Sequence, residues 1–206
     1  MKRVQYLMLG LLAVALLAVS PVHAALFQNG DFGGLPVPGS FITLYGGDTS
    51  IPGWKVTGDS IDYIGGYWQA PPAVSTSIDL DGNGQGGIQQ TFDTTPGATY
   101  KVSFYLAGNP DGGPNPKQLL VTTVGSTPYN FDASGTNRGA MGWTPETFAF
   151  TATSASTTLS FDSQTAGYYG PAIGEVSVSQ TPLPPTVFLL GSGLAGLGML
   201  RFRRKT

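Results

Sequence analysis

Between residues 25 and 180 the apolar side chains recur at every second position and nowhere keep the three-to-four spacing of a helix face. Tyr100, Val102, Phe104 and Leu106 share one side of a segment whose other side carries Lys101, Ser103 and Tyr105. Phe148 and Phe150, Leu159 and Phe161, and Val176 and Val178 alternate with small or polar residues in the same way. One-sided alternation of this kind marks antiparallel strands with one buried and one wet face. Gly and Pro interrupt at short intervals and bound twelve candidate segments, near 25–28, 41–45, 54–57, 60–64, 75–80, 87–92, 99–107, 118–124, 128–131, 145–152, 156–163 and 173–179. Ten or eleven strands from that set predict an all-β fold, an antiparallel two-sheet jelly-roll sandwich. No internal repeat is visible.

The two ends carry different patterns. Lys2 and Arg3 precede an apolar run from Tyr6 to Val19, and Val22-His23-Ala24 follows with small residues where a signal peptidase reads. This predicts a signal helix over 1–24, removed after Ala24. At the other end Thr181-Pro182-Leu183-Pro184-Pro185 leads into an apolar stretch and then Arg201, Arg203, Arg204 and Lys205. As a helix, Val187 to Leu200 would span ~21 Å, against a hydrocarbon core of ~30 Å. Counted from Leu183 it reaches ~27 Å, and snorkelling arginines extend it. A C-terminal transmembrane helix is therefore expected, with the basic tail inside and residues 25–180 facing outward. The chain divides into 1–24, a single β domain over 25–180, and 181–206.

Composition narrows the chemistry. The 206 residues include no Cys, and the single His, His23, lies in the predicted signal. The remaining domain has neither Ser-His-Asp nor Cys-His catalysis open to it, nor a histidine or thiolate zinc site. All 12 acids fall between residues 25 and 180, opposed there by Lys55, Lys101, Lys117 and Arg138 only. A surface that negative excludes nucleic acid as a partner. Two carboxylates suffice for glycoside hydrolysis, but the spacing of Asp59, Asp62, Asp79, Asp81, Glu146 and Glu175 singles out no pair, so no catalytic residue is assigned.

The aromatic residues offer a better lead. Sugar rings present flat C–H faces that stack on aromatic side chains while nearby polar groups bond the hydroxyls. Tyr67, Trp68 and Gln69 stand among glycines and ahead of Pro71-Pro72, as a loop would, and Tyr168 lies between Gly167 and Gly170. Asn109 opens a polar loop that runs to Pro116 and is placed along the same edge. These five residues are the candidate ligand-binding set. Trp54 and Trp143 each follow a Gly and are expected in the core. Asp79, Asp81 and Asn83 match the first half of an EF-hand loop, but Gln90 stands at the twelfth position and no helices flank it. Two readings remain for this segment: a Gly-rich turn between strands, or a weak Ca²⁺ site.

Two resemblances add to this. The C-terminal tail, with its Leu189 to Leu197 core, resembles the PEP-CTERM sorting signal, with Leu183-Pro184-Pro185 standing where Pro-Glu-Pro is usual. The resemblance implies an exosortase as partner, a membrane anchor before processing, and final placement at the surface or in the exopolysaccharide matrix of a Gram-negative bacterium. The domain itself carries Asn29-Gly30-Asp31-Phe32, Ile51-Pro52-Gly53-Trp54, Ser77-Ile78-Asp79-Leu80-Asp81-Gly82, Phe104-Tyr105-Leu106-Ala107-Gly108-Asn109-Pro110 and Tyr169-Gly170-Pro171. That series resembles the choice-of-anchor C family, related to the domain-of-unknown-function 642 proteins of plant cell walls. It implies a galactose-binding-like jelly roll. In such folds, acids near the first motif and the last strand help hold a structural calcium; here Gly33 and Gly174-Glu175 occupy those places. The expectation is a non-catalytic exported protein that binds polysaccharide. A structural or adhesive protein with a protein partner is the alternative, and a glycan-active enzyme comes third.

Overall fold

The computed structural model describes residues 26–182. Eleven strands occur in this stretch: β1 (Phe41–Tyr45), β2 (Lys55–Gly58), β3 (Ser60–Ile64), β4 (Ser77–Asp79), β5 (Gly86–Asp93), β6 (Thr99–Gly108), β7 (Lys117–Thr122), β8 (Ser126–Phe131), β9 (Thr144–Thr151), β10 (Ser156–Ser163) and β11 (Pro171–Gln180). No helix forms among the described residues. The predicted signal and transmembrane helices, the Leu183-Pro184-Pro185 motif and the basic tail lie outside them.

The strands build two sheets, in the orders β1-β3-β4-β11-β6-β9 and β2-β5-β10-β7-β8, and every pairing between them is antiparallel. From β4 onward the order β4-β11-β6-β9 faces β5-β10-β7-β8, which is the two-sheet wrapping of a jelly roll. β1 and β3 widen the first sheet, and β2 widens the second.

The core sits between the sheets and follows the alternation. Tyr100, Val102, Phe104 and Leu106 are buried along β6, and Leu159 and Phe161 along β10. Phe161 meets Phe104 edge to face at 5.1 Å and Trp54 at 6.3 Å. Each fully buried side chain of this size contributes about 2–3 kcal/mol relative to exposure.

The structure departs from the sequence expectation at two places. Residues 26–28 form no strand, because the side chain of Gln90 takes the place of a ladder partner. Its Oε1 accepts from the Gln28 amide at 2.8 Å, and its Nε2 donates to the Gln28 carbonyl at 2.9 Å. Phe27 then packs edge-on against Trp54 and Phe92. Of the two tryptophans expected inside, Trp54 is buried but Trp143 is only half-buried. Trp143 lies against the outside of the core, with its indole N–H donating to the Gln69 carbonyl at 2.9 Å.

Candidate functional site

Cross-strand register assembles the floor of the site. Thr43 on β1 lies opposite Asp62 on β3, and Asp62 lies opposite Asp79 on β4. Ile61, Tyr63 and Ile78 are buried in the core, so these polar neighbours in the period-two pattern point to the other face of the sheet. Thr43 Oγ1 donates to Asp62 Oδ1 at 2.6 Å, and no described residue donates to Asp62 Oδ2. Asp79 is 1% exposed although it faces outward, because three loops roof it over. The Asn109 amide donates to its Oδ2 at 2.7 Å, and the backbone amides of Asp81 and Gly170 donate to Oδ1.

Those loops supply the walls. Tyr67 and Trp68 come from the segment after β3, Asn109 and Asp111 from the segment after β6, and Tyr168 and Tyr169 from the segment before β11. With the floor they enclose an open cavity of about 210 Å³. Three larger clefts lie elsewhere. One of about 440 Å³ runs beside Phe27 and Phe92, one of about 560 Å³ lies beside Asp31 and Val74, and one of about 480 Å³ lies beside Gln69 and Trp143; none gathers a comparable set of charged and amide side chains around exposed aromatic rings.

The cavity unites Tyr67, Trp68, Asn109 and Tyr168 from the predicted set, and adds Asp79 and Asn83. The aromatic residues do not share one role. Tyr168 is 62% exposed and offers a free ring. Tyr67 is half-buried and one face is already covered, with the Arg138 guanidinium 4.1 Å from the ring centroid. Its hydroxyl donates to Asp111 Oδ2 at 2.7 Å, and Arg138 bonds both Asp111 oxygens. Trp68 is 5% exposed and donates its indole N–H to Ser77 Oγ at 2.9 Å, so it is a buried wall and not the exposed platform its loop position suggested. Gln69 lies outside the cavity. It anchors the segment before β9, its Oε1 accepting from the Met141 backbone N–H and its own backbone N–H donating to the Arg138 carbonyl.

Asp79, Asp81 and Asn83 diverge. Asn83 Nδ2 donates to the Tyr45 hydroxyl, and the Asn83 and Gly82 amides close a turn onto Ser60. Asp81 is fully buried beneath Gly170, and neither carboxylate oxygen has a hydrogen-bond partner of normal geometry. No group of three acidic side chains poised for a metal forms among the described residues. At the first motif and the last strand, Gly33 and Gly174-Glu175 already leave the sequence short of the acids a calcium would use. Val176 donates to the Gly30 carbonyl, and Glu175, at φ 50°, leaves Oε2 buried without a partner, but Asp31 is the only other carboxylate the sequence places at that turn. No calcium is assigned to either place.

Sequence reading missed Lys117. It is 1% exposed, and its Nζ donates to the Gly112 and Tyr169 carbonyls, each at 2.6 Å. One ammonium thus ties together the two loops that carry Asp111 and Tyr168. Gly112 permits that closeness, since a Cβ there would fall 2.4 Å from the Tyr169 ring.

Burial dominates the electrostatics. It pushes the Asp79 carboxyl well above the usual carboxylate range, with Asp81 and Asp62 adding repulsion against the hydrogen bonds from Asn109 and the Asp81 amide. It raises Asp62 as well, against the Thr43 hydrogen bond. Asp81 is pushed up to about 6 by burial, which Ser163, Lys117 and the Gly86 amide only partly offset. Burial would raise Asp111 too, but the hydrogen bonds from Arg138 and Tyr67 outweigh it and hold that group low. The Lys117 ammonium is lowered by burial, against the pull of Asp79 and Asp81.

Comparison with known proteins gives the lineage. The family described as "Protein of unknown function (DUF642)" matches residues 25–179. The chain belongs to the DUF642 family. Halomucin of Haloquadratum walsbyi (strain DSM 16790 / HBSQ001) is 31% identical over 180 residues, covering 81% of this chain. The chain spans only 2% of halomucin's length. Among solved structures, a family 35 carbohydrate binding module from Clostridium thermocellum superposes with a TM-score of 0.47 at 10% identity, covering 68% of this chain and 99% of that one. TmCBM61, solved in complex with beta-1,4-galactotriose, gives 0.44 at 13% identity over 63% of this chain and 90% of its own.

Proposed function

We propose that this DUF642 chain is a non-catalytic, exported protein that holds polysaccharide in the cavity over β1, β3 and β4. One observation carries the reading: an exposed aromatic ring, Tyr168, stands at the mouth of an open cavity whose interior presents Asp62, Thr43, Asn83 and Asn109. A ring for the sugar's C–H face beside fixed polar groups for its hydroxyls is what saccharide recognition needs. Hydrolysis is disfavoured at the same place. Asp79 is buried with donors on both oxygens, so it does not reach an anomeric carbon, and Asp111, the third carboxylate of the lining, is held by Arg138 and Tyr67, which leaves Asp62 without a free second carboxylate.

Affinity electrophoresis through gels loaded with plant and bacterial polysaccharides tests the site. Retardation of the parent protein that is lost in Tyr168→Ala, with the melting temperature unchanged, is the expected result. Equal migration of both forms in every matrix would favour a protein partner instead.

The ends extend the reading. Residues 1–24 act as a secretion signal, and 181–206 as a tail recognised by an exosortase, which places the domain outside a Gram-negative cell, at its surface or in its matrix. Mass spectrometry of the C-terminus from cells with and without an exosortase tests this. A tail left intact in both would refute it.

A further inference from the structure

The cavity carries an unbalanced charge. Asp62 and Asp79 are direct cross-strand neighbours on one face, where side chains stand about 5 Å apart at Cβ and like charges repel. Asp81 lies buried next to Asp79. Neither Lys nor Arg lines the cavity. Arg138 is spent on Asp111, which it grips through three hydrogen bonds. Lys117 feels Asp79 and Asp81, but its Nζ is turned to the Gly112 and Tyr169 carbonyls, and Asp62 is not among the acids it feels. Thr43, Asn83 and Asn109 bring no charge of their own. Burial raises Asp62 and Asp79 toward the protonated form, Asp62 has no cationic partner among the described residues, and its Oδ2 is free to accept.

We propose that the ligand supplies the missing cation: the site takes a sugar bearing a free, protonated amine, with the ammonium on Asp62 and Asp79 behind it. This rests on the polysaccharide reading above and narrows it. An ammonium has three donors and no acceptor, which suits a carboxylate floor. N-acetylation removes that charge, and a uronate or sulfate ester brings the wrong sign. A divalent cation fits less well, since it calls for six to eight oxygens, while both Asp79 oxygens already hold donors and no three-acid group is present among the described residues.

The test is calorimetric titration of the full chain, purified in mild detergent, with glucosamine hexamer, its fully N-acetylated counterpart and oligogalacturonate. Titrations are run slightly below neutral pH, with and without chelator. Expected are at least about tenfold tighter binding of the free-amine hexamer than of the acetylated one, no binding of the uronate, and weakening with added salt. Asp62→Asn should lose at least about tenfold for the amine while its melting temperature holds or rises, because a repulsive neighbour of Asp79 has gone. A residue with a purely structural role would not separate those two readouts. Equal affinity for amine and acetylated hexamers, an unaffected Asp62→Asn variant, or binding abolished by chelator would each overturn the amine proposal. If a neutral or acetylated sugar still depends on Tyr168, the polysaccharide reading survives alone; if no sugar does, both fall.

Discussion

Between the two sheets, Phe104, Phe161 and Trp54 meet ring against ring in a dry layer with no charge to satisfy. Beneath the cavity the layer is just as dry, but it holds Asp79, Asp81 and Lys117, each at most 1% exposed. The first region stabilises the fold through apolar area and shape. The second costs desolvation for every ion and recovers it only where hydrogen bonds are complete. Asp79 and Lys117 have such bonds; Asp81 does not. The contrast separates two kinds of buried layer: one closes the sandwich through apolar shape, and the other holds acids and a lysine behind an open cavity through hydrogen bonds.

Substitutions should separate the two regions, the core giving the largest effect. Phe161→Ala removes a ring that contacts Phe104 and Trp54 and should cost about 4 kcal/mol in denaturant unfolding; a loss under about 1 kcal/mol would mean the core does not centre there. Lys117→Met keeps the length of the side chain but strips the ammonium from two carbonyls and two acids, and should cost about 3 kcal/mol. It should also weaken ligand retention, because the loops carrying Asp111 and Tyr168 lose their tie. Stability lost with binding intact would make Lys117 structural only.

Asp81 behaves oppositely. Its folded pKa of about 6 lies above the 3.8 of the free group, so the folded chain holds a proton that the unfolded chain releases. Its stabilising effect is complete below about pH 4 and is lost as pH rises through about 6. Asp81→Asn should flatten that decline and gain on the order of 2 kcal/mol above pH 6. A decline of unchanged slope would assign the titration to Asp79 or Asp62, which are shifted in the same direction. Tyr168→Ala should move stability least, within about 0.5 kcal/mol, because the ring is 62% exposed.

The strands were legible because alternation is a local property. β1, β3 and β10 fall where the pattern puts them, and Phe148–Phe150 and Leu159–Phe161 face inward as expected. The absence of a strand at 26–28 was not legible, since the Gln90 side chain that replaces its ladder lies 62 residues from Gln28. For the site, glycines around Tyr67, Trp68, Tyr168 and Asn109 marked loops, and those four side chains meet in one cavity. Their division into a free ring, a ring capped by Arg138 and a buried indole had no signal in the sequence. Asp62 stood among six acids that spacing did not tell apart, Lys117 looked like an ordinary strand residue, and only register and burial distinguish them.

The order of residues by itself determined an all-β domain, its approximate strand boundaries, a core free of Cys and His, and a negative balance of charge. Each follows from composition or from a period of two, which neighbouring residues decide among themselves. Tertiary structure decided which acids confront each other. Thr43, Asp62 and Asp79 form one row only because β1, β3 and β4 pair in a particular register. Lys117 ends against Gly112 and Tyr169, the latter 52 residues along the chain, because the segments after β6 and before β11 come together over it. Register and loop closure depend on the whole sandwich, and so the site's charge, unlike its strands, is a property of the fold.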